Sequence, residues 1–464
     1  MRRTKIIATL GPSSDDPGVL RGLVEAGLDV ARLNTAHATC DVLERQLRGV
    51  REAAEIYGCH VGVMLDLGGA KLRLGEVAAG TLLVEGEPFV LRAAAGPGDH
   101  TGASVSHAGL AGDVAAGDRI LIDDGRIELR VTATAPGAVQ TVVVGGGPLS
   151  SRKGVNVPGV KLSVEGMTQR DLDDLAWALD AGVDLVAQSF VRCAEDIDRL
   201  REAMGGRPIP IVAKIEKHEA LGDLERIVRT ADIVMVARGD LGVETSPEAV
   251  PVAQRRIVAE CRRTGTPVIV ATQMLESMTL ASRPTRAEAS DVANAIFESV
   301  DAVMLSGETA VGEHPVHVLA TMDRIVRAAE GAGVSDPVRP ERRSPDVAAA
   351  VSGAVCDLAG SLDLAAIVTV TQSGATARKV AAHRPGTPVV AATPDDVIAR
   401  RLTPVWGVRP LVIGAYDSTD GMVSAAVQAL RDAGVAQAGE MVAVTGGVAV
   451  HVTGSTDFIQ VCGV

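Results

Sequence analysis

A lysine and a glutamate two residues apart, Lys214 and Glu216, end the short apolar run Ile211-Val212-Ala213. Residues two apart in a strand face the same side, so the run would deliver an ammonium and a carboxylate to one place. Neither charge is cheap to bury without a partner such as a metal ion or an anionic ligand. Asp240 follows a second apolar run, Asp232–Ala237, after Arg238-Gly239. Carboxylates from neighbouring strands suit a hard divalent cation such as Mg²⁺, with Mn²⁺ as the alternative, because substrate oxygens and water complete the octahedron. Lys214 beside them suits the negative charge that develops on a transferring phosphoryl group or an enolate. Gly239 and Gly242 allow close backbone approach, and the Gly239 amide is a donor for a carboxylate or phosphate. Arg32 and Arg73 are forks that match phosphate oxygens.

These residues make one site only if a scaffold gathers them. Apolar runs at Lys5–Leu10, Asp29–Leu33, Val61–Leu67, Asp184–Gln188, Pro210–Lys214, Asp232–Ala237, Pro267–Ala271 and Asp301–Leu305 alternate with helix-compatible sequence. One helix is expected from an N-cap at Thr168, with Leu172, Leu175 and Leu179 on one face, to a stop at Gly182. Eight βα units predict a (β/α)₈ TIM barrel, whose catalytic groups sit at the C-terminal ends of the strands. The polar residues at or just past those ends are Asn34, Asp66, Ser189, Lys214, Glu216, Asp240, Thr272, Ser306 and Glu308. After Asp66 the rhythm breaks into turn-rich, alternating segments that predict an inserted all-β module. Asp336–Asp346 is the candidate linker to a second α/β pattern, with strands at Ala366–Val370, Pro388–Ala392, Pro410–Ile413 and Met441–Thr445. The expected division is residues 1–68 and 155–335 for the barrel, 69–154 for the insertion, and 336–464 for the C-terminal α/β domain. Within the last, Thr371, Ser373, Gly374 and Thr376 lie between a strand and a helix, where hydroxyls and amides suit a phosphate.

Composition narrows the class. Of 464 residues, 47% are hydrophobic but only 2% aromatic, so the cores must be built from small aliphatic side chains. A net charge of −13 argues against nucleic acid or an anionic membrane as the main partner. The six cysteines lack any C-x-x-C spacing, which fits free thiols in a reducing cytoplasm. The first apolar run breaks at Gly11-Pro12, too early for a signal sequence, and no stretch reaches membrane-spanning length.

Long stretches of the chain resemble the pyruvate kinase family. They are Thr4–Ser14, Lys214-Ile215-Glu216, Ala237–Glu244, Ala271–Met278, Arg283–Glu288 and Met304–Thr309, in the family's order and spread over the barrel. The resemblance implies a β-barrel lid as the insertion and an effector domain at the C-terminus. It implies transfer of phosphate from phosphoenolpyruvate to ADP, giving pyruvate and ATP in glycolysis. Lys214, Thr272 and Arg32 would be catalytic, Thr272 near the proton delivered to the enolate. Arg32, Gly239, Asp240 and Thr272 would hold the substrate. Glu216 and Asp240 would hold the metal, and Asn34, His37, Arg73 and Lys153 the nucleotide. Thr371, Ser373, Gly374 and Thr376 would form the effector loop for a sugar phosphate, in a homotetramer.

One region departs from the family. Asn34-Thr35-Ala36-His37-Ala38 stands for the usual Asn-Phe-Ser-His-Gly, and Asp66–Arg73 for the usual Asp-Thr-Lys-Gly-Pro-Glu-Ile-Arg. In most members Asn, Ser, Asp and Thr at the positions of Asn34, Ala36, Asp66 and Leu67 hold potassium. Ala36 offers no oxygen, and Lys71 replaces a Glu. The chain is therefore similar to the potassium-independent members, with Lys71 standing in for the ion. The alternative reading is a catalytically weak paralogue acting as a phosphoenolpyruvate or sugar-phosphate sensor.

Overall fold

Runs of Val, Ile, Leu and Ala with no polar alternation suit strands covered on both faces, and eight of them close a parallel barrel. In chain order these are Lys5–Thr9, Val30–Asn34, Gly62–Leu67, Leu185–Gln188, Ile211–Ile215, Ile233–Ala237, Val268–Ala271 and Ala302–Leu305. The computed structural model describes residues 2–164, 166–333, 340, 346–448 and 456–464. The expected linker, Asp336–Asp346, falls largely outside the described residues.

The two-residue period sorts every barrel strand. Ile7, Val30, Met64, Ala187, Val212, Met235, Ile269 and Met304 fill the interior. Their alternates, such as Ile6, Leu33, Val63, Ile211 and Ala213, pack against the surrounding helices. Continuing the inward set upward in steps of two reaches Thr9, Arg32, Asp66, Ser189 and Lys214 and, one step further, Glu216. The barrel's packing parity thus decides which polar side chains meet at the mouth.

The expected helix after Thr168 forms at Gln169–Ala181, with a Thr168–Asp171 capping box and Gly182 in the left-handed conformation at its end. Its buried face differs from the leucine stripe. Asp171, Asp174, Leu175 and Ala178 are buried, while Leu172 is exposed. Asp171 explains the rotation, because its Oδ1 also accepts from the Gly69 amide at 2.9 Å and turns that side toward the barrel mouth.

The insertion is a six-stranded sheet, ordered Val155–Asn156, Arg119–Ile122, Ile127–Ala135, Ala138–Gly145, Pro88–Arg92, Gly102–Ser104. The entering segment joins its two edges. Leu74 N donates to Lys153 O and Gly75 N to Ser104 O, both at 2.9 Å, so the sheet curls toward closure. Its core of Phe89, Leu91, Leu129 and Val143 also takes in Val155, Val157 and Leu162. The lid's sheet and core therefore run past residue 154.

The C-terminal domain is a five-stranded sheet ordered Val408–Val412, Val389–Thr393, Ala366–Val370, Met441–Gly446, Phe458–Gly463, with only the last strand antiparallel. Helices Val347–Ser361, Ala375–Ala382, Asp396–Arg401 and Thr419–Asp432 accompany it. The domain meets the barrel through charges. Arg384 pairs with Asp301 at 2.7 Å and Arg400 with Asp184 at 2.9 Å. Lys5 Nζ donates to Val408 O at 2.8 Å, and Arg3 and Arg384 both lie over the Trp406 ring. Among the described residues no helix is long and apolar enough to cross a membrane, and all six cysteines are free.

Candidate active site

At the barrel mouth Lys214 is the hub. Its Nζ lies 2.7 Å from Ser189 Oγ, 2.8 Å from Glu216 Oε1 and 3.2 Å from Asp66 Oδ1. Burial works against the ammonium, but Asp66 and Glu216 outweigh it and hold the Lys214 pKa above that of a free lysine. The positive charge is therefore permanent at physiological pH. Burial likewise works against the Asp66 carboxylate, and Lys214 and Arg32 outweigh it, so its pKa falls below the ordinary value. Arg32 completes the row, with Nε 2.6 Å from Asp66 Oδ2 and Nη1 3.0 Å from Thr9 Oγ1.

Glu216 behaves differently from Asp66. Burial pushes its carboxyl pKa up, Lys214 opposes this, and the neighbouring Asp240 carboxylate adds to it. Its Oε2 accepts from the Phe190 amide at 2.9 Å. Two carboxylates close enough to repel are what a divalent cation relieves. Among the described residues no group of three or more His, Cys, Asp or Glu side chains is placed to hold a metal ion by itself. The donor set thus fits Mg²⁺, which takes one or two carboxylates and completes its shell with substrate oxygens and water.

Asp240 lies on the short helix Arg238–Glu244 that directly continues the sixth barrel strand. Its Oδ1 accepts from Lys71 Nζ at 2.7 Å. Lys71 therefore meets the candidate metal ligand, while Asp66 is occupied by Arg32 and Lys214. Asn34 Oδ1 accepts from the Ala36 amide at 3.1 Å, and Leu67 is buried. Lys71 sits on the entry to the lid, just after Gly69. That glycine has φ +67°, and a Cβ there would fall 2.8 Å from Phe190 Cδ2, so both conformation and space exclude a side chain.

Thr272 and Gln273, after the seventh strand, have φ of +69° and +55°. Left-handed backbone is a true outlier for β-branched threonine and costs on the order of 1–3 kcal/mol per residue. The turn lets Thr272 Oγ1 accept from the Gly239 amide at 2.8 Å while donating to Ala271 O at 2.6 Å. Thr272 and Gly239, far apart in sequence, thus meet at the mouth.

On the other flank, His37 is exposed on the loop after the second strand. Partial burial and the cations of Arg73, Arg32, Lys71 and Arg170 lower its pKa. Four cations acting on one imidazole mark a field that favours an anion. Arg73 Nη1 donates to Arg152 O at 3.2 Å, and Lys153 Nζ pairs with Asp123 at 2.8 Å on the lid. Between lid and barrel a cleft of about 630 Å³ is lined by Lys71, Arg119, Asp124, Gly239, Asp240 and Gln273 among others. In the C-terminal domain, Thr371 Oγ1 accepts from the Gly374 amide at 2.9 Å, and Thr376 Oγ1 is 2.7 Å from Thr456 Oγ1. Gly374, with φ +79°, precedes the helix, whose start has no side-chain cap; Ser373 is exposed.

Three contributors escaped the sequence reading. Arg238 holds the Thr272–Gln273 turn, Asp171 holds Gly69, and Glu244 accepts from Asn156 Nδ2 at 2.7 Å and Lys217 Nζ at 2.8 Å, tying the lid's exit to the barrel. The available signal was an arginine at the end of an apolar run. The other two depend on contacts across 102 and 88 residues of chain.

A closed (β/α)₈ barrel with a buried lysine–carboxylate hub at its mouth, an inserted β-sheet domain and an α/β appendix has the form of a barrel enzyme acting on an anionic substrate. Residues 1–319 match the family model "Pyruvate kinase, barrel domain" and residues 349–462 match "Pyruvate kinase, alpha/beta domain". Pyruvate kinase 2 of Synechocystis sp. is 44% identical over 99% of this chain and 79% of its own length. The pyruvate kinase of Mycobacterium tuberculosis is 43% identical over 99% of this chain and 98% of its own. That of Geobacillus stearothermophilus is 42% identical over 99% and 80%. The chain belongs to the pyruvate kinase family, and it is an enzyme of that activity.

Proposed function

We propose that this chain moves the phosphoryl group of phosphoenolpyruvate to ADP as follows. Arg32 and Lys214 bear on the transferring group. Gly239, Asp240 and Thr272 hold the substrate, and Asn34, His37, Arg73 and Lys153 hold the nucleotide. Glu216 and Asp240 hold Mg²⁺ or Mn²⁺, which when bound supplies neutralising charge to phosphate oxygens. The bond between phosphorus and the enol oxygen breaks as a bond from phosphorus to an ADP β-phosphate oxygen forms. The enolate left behind takes a proton at carbon on the side of Thr272. The observation that carries this reading is the buried Lys214 ammonium, held charged by Asp66 and Glu216 where phosphate charge would develop.

Lys71 supplies the fixed positive charge that potassium gives most relatives, so turnover needs no potassium. Its place beside Asp240 and opposite His37 supports this reading. Thr371, Ser373, Gly374 and Thr376 form a sugar-phosphate loop. The exposed Leu280 and Val311, on loops joined by a Glu313–Thr279 backbone hydrogen bond, suit burial between copies in a homotetramer. Six free thiols suit the cytoplasm.

The test is a coupled assay of pyruvate formation, with all potassium replaced by tetramethylammonium. Wild-type turnover is expected, and Lys214→Met should lower kcat by about 10²-fold or more. Absence of wild-type turnover both with and without potassium, with phosphoenolpyruvate binding intact, would leave only the sensor reading. An absolute need for potassium would sink the role given to Lys71.

A further inference from the structure

Arg238 stands between the two halves of the site. It opens the helix that carries Gly239 and Asp240, yet its guanidinium reaches across to the turn after the neighbouring strand. Nε donates to Ala271 O and Thr272 O at 3.3 and 3.2 Å, and Nη2 to Thr272 O and Gln273 O at 2.7 and 3.3 Å. Nη1 pairs with Asp291 at 2.6 Å, on the helix Arg286–Phe297. The residue is 9% exposed. Two of those carbonyls belong to the left-handed pair, Thr272 and Gln273. The Ala271 carbonyl is buried and those of Thr272 and Gln273 partly so, and one planar fork serves all three consecutive peptides.

We propose that Arg238 is a positioning residue for proton delivery. By locking the Thr272–Gln273 turn to the helix bearing Asp240, it aims the Thr272 hydroxyl at the enolate carbon and leaves metal and phosphate binding to other groups. The inference rests on the role given above to Thr272. A lysine in its place keeps the charge, but a single ammonium cannot reproduce the fork.

The test uses the full chain with Arg238→Lys and Asp291→Asn. Four quantities are measured: kcat and KM for phosphoenolpyruvate, Mn²⁺ binding to the free protein, exchange of pyruvate methyl hydrogens with solvent, and the melting temperature. Displacing a reacting group by about 1 Å can cost 10²-fold, so R238K should lower kcat and methyl exchange by about 10- to 100-fold. KM and Mn²⁺ affinity should stay within about twofold, as for an interaction made only in the transition state. D291N keeps the fork but frees its anchor, and should lose about three- to tenfold in kcat and exchange at an unchanged melting temperature. R238K with kcat and exchange within twofold of wild type overturns the inference. So does a loss of kcat matched by an equal loss of Mn²⁺ affinity, which means collapse of the metal turn. If R238K does not fold, D291N decides, and wild-type kcat in D291N overturns the inference. A wild type without pyruvate kinase turnover overturns instead the reading beneath it.

Discussion

Replacing Lys71 by methionine separates two roles that one ammonium holds at this mouth. Its Nζ lies 2.7 Å from Asp240 Oδ1, with the two side chains 22% and 25% exposed. A cation that takes Asp240 as ligand must displace Lys71 or share the carboxylate against like-charge repulsion. Unit charges about 4 Å apart interact by roughly 4 kcal/mol at an effective dielectric of 20 and roughly 1 kcal/mol in bulk water. Partial exposure of both groups puts the pair near the lower end, at about 1.5 kcal/mol or about tenfold in an equilibrium constant. Lys71→Met should therefore bind Mn²⁺ about tenfold more tightly in the absence of substrate, read by calorimetry or by loss of the free-ion resonance. The same change removes positive charge from phosphoryl transfer. Turnover should fall by about tenfold or more and recover in part with added potassium. Mn²⁺ affinity within twofold of wild type would refute the competition, whatever happens to turnover.

Two further outcomes follow from buried charge. Asp66→Asn removes one partner of Lys214 and Arg32, both of which lose a buried counter-charge, so stability at pH 7 should fall by about 3–5 kcal/mol. The folded Asp66 pKa is depressed, so its stabilisation is present above the unfolded value near 3.9 and lost as pH falls through the folded pKa. The melting-temperature gap between wild type and D66N should therefore narrow below about pH 4, and a constant gap contradicts the assignment. Arg384→Met leaves Asp301 with one charged partner fewer at 4% exposure and unstacks Trp406. Urea unfolding should show about 3 kcal/mol or more of lost stability, with kcat per folded molecule within about twofold.

Much of the scaffold was legible because a parallel barrel buries its strands on both faces, which leaves uninterrupted aliphatic runs such as Ile211-Val212-Ala213. Strand ends were legible to within a residue, since each run stops where a polar side chain reaches the mouth. Phe458–Gly463 was not, because Ile459 and Val461 pack one face and Phe458 and Cys462 the other, so the run shows no alternation and is broken by Gln460. The lid's end was not legible either, as Val155 and Val157 read like the approach to the next helix until Arg119–Ile122 pairs beside them. At the site, Lys214, Glu216 and Asp240 announced themselves as charges ending apolar runs. Arg238 did not, since its purpose depends on the carbonyls of Ala271, Thr272 and Gln273. Lys71 announced a charge but not its partner, which only the path of the lid's first segment determines.

The contacts of Lys5 and Arg3 bear on how the chain comes off the ribosome. Lys5, in the first barrel strand, is 5% exposed and gives its ammonium to Val408 O, while Arg3 O accepts from the Gly407 amide at 2.8 Å. The opening strand is thus sealed by peptide groups made some 400 residues later. Until they arrive, a nascent barrel holds an ammonium at its base beside Asp29 with water as its remaining partner. When the eighth strand emerges the strand pairings of the barrel are all available, but Lys5 and Arg3 still lack Val408 O and Gly407 N. The α/β domain is thus also a closing piece of the barrel, because the opening segment has all its bonds only once Gly407 and Val408 are in place.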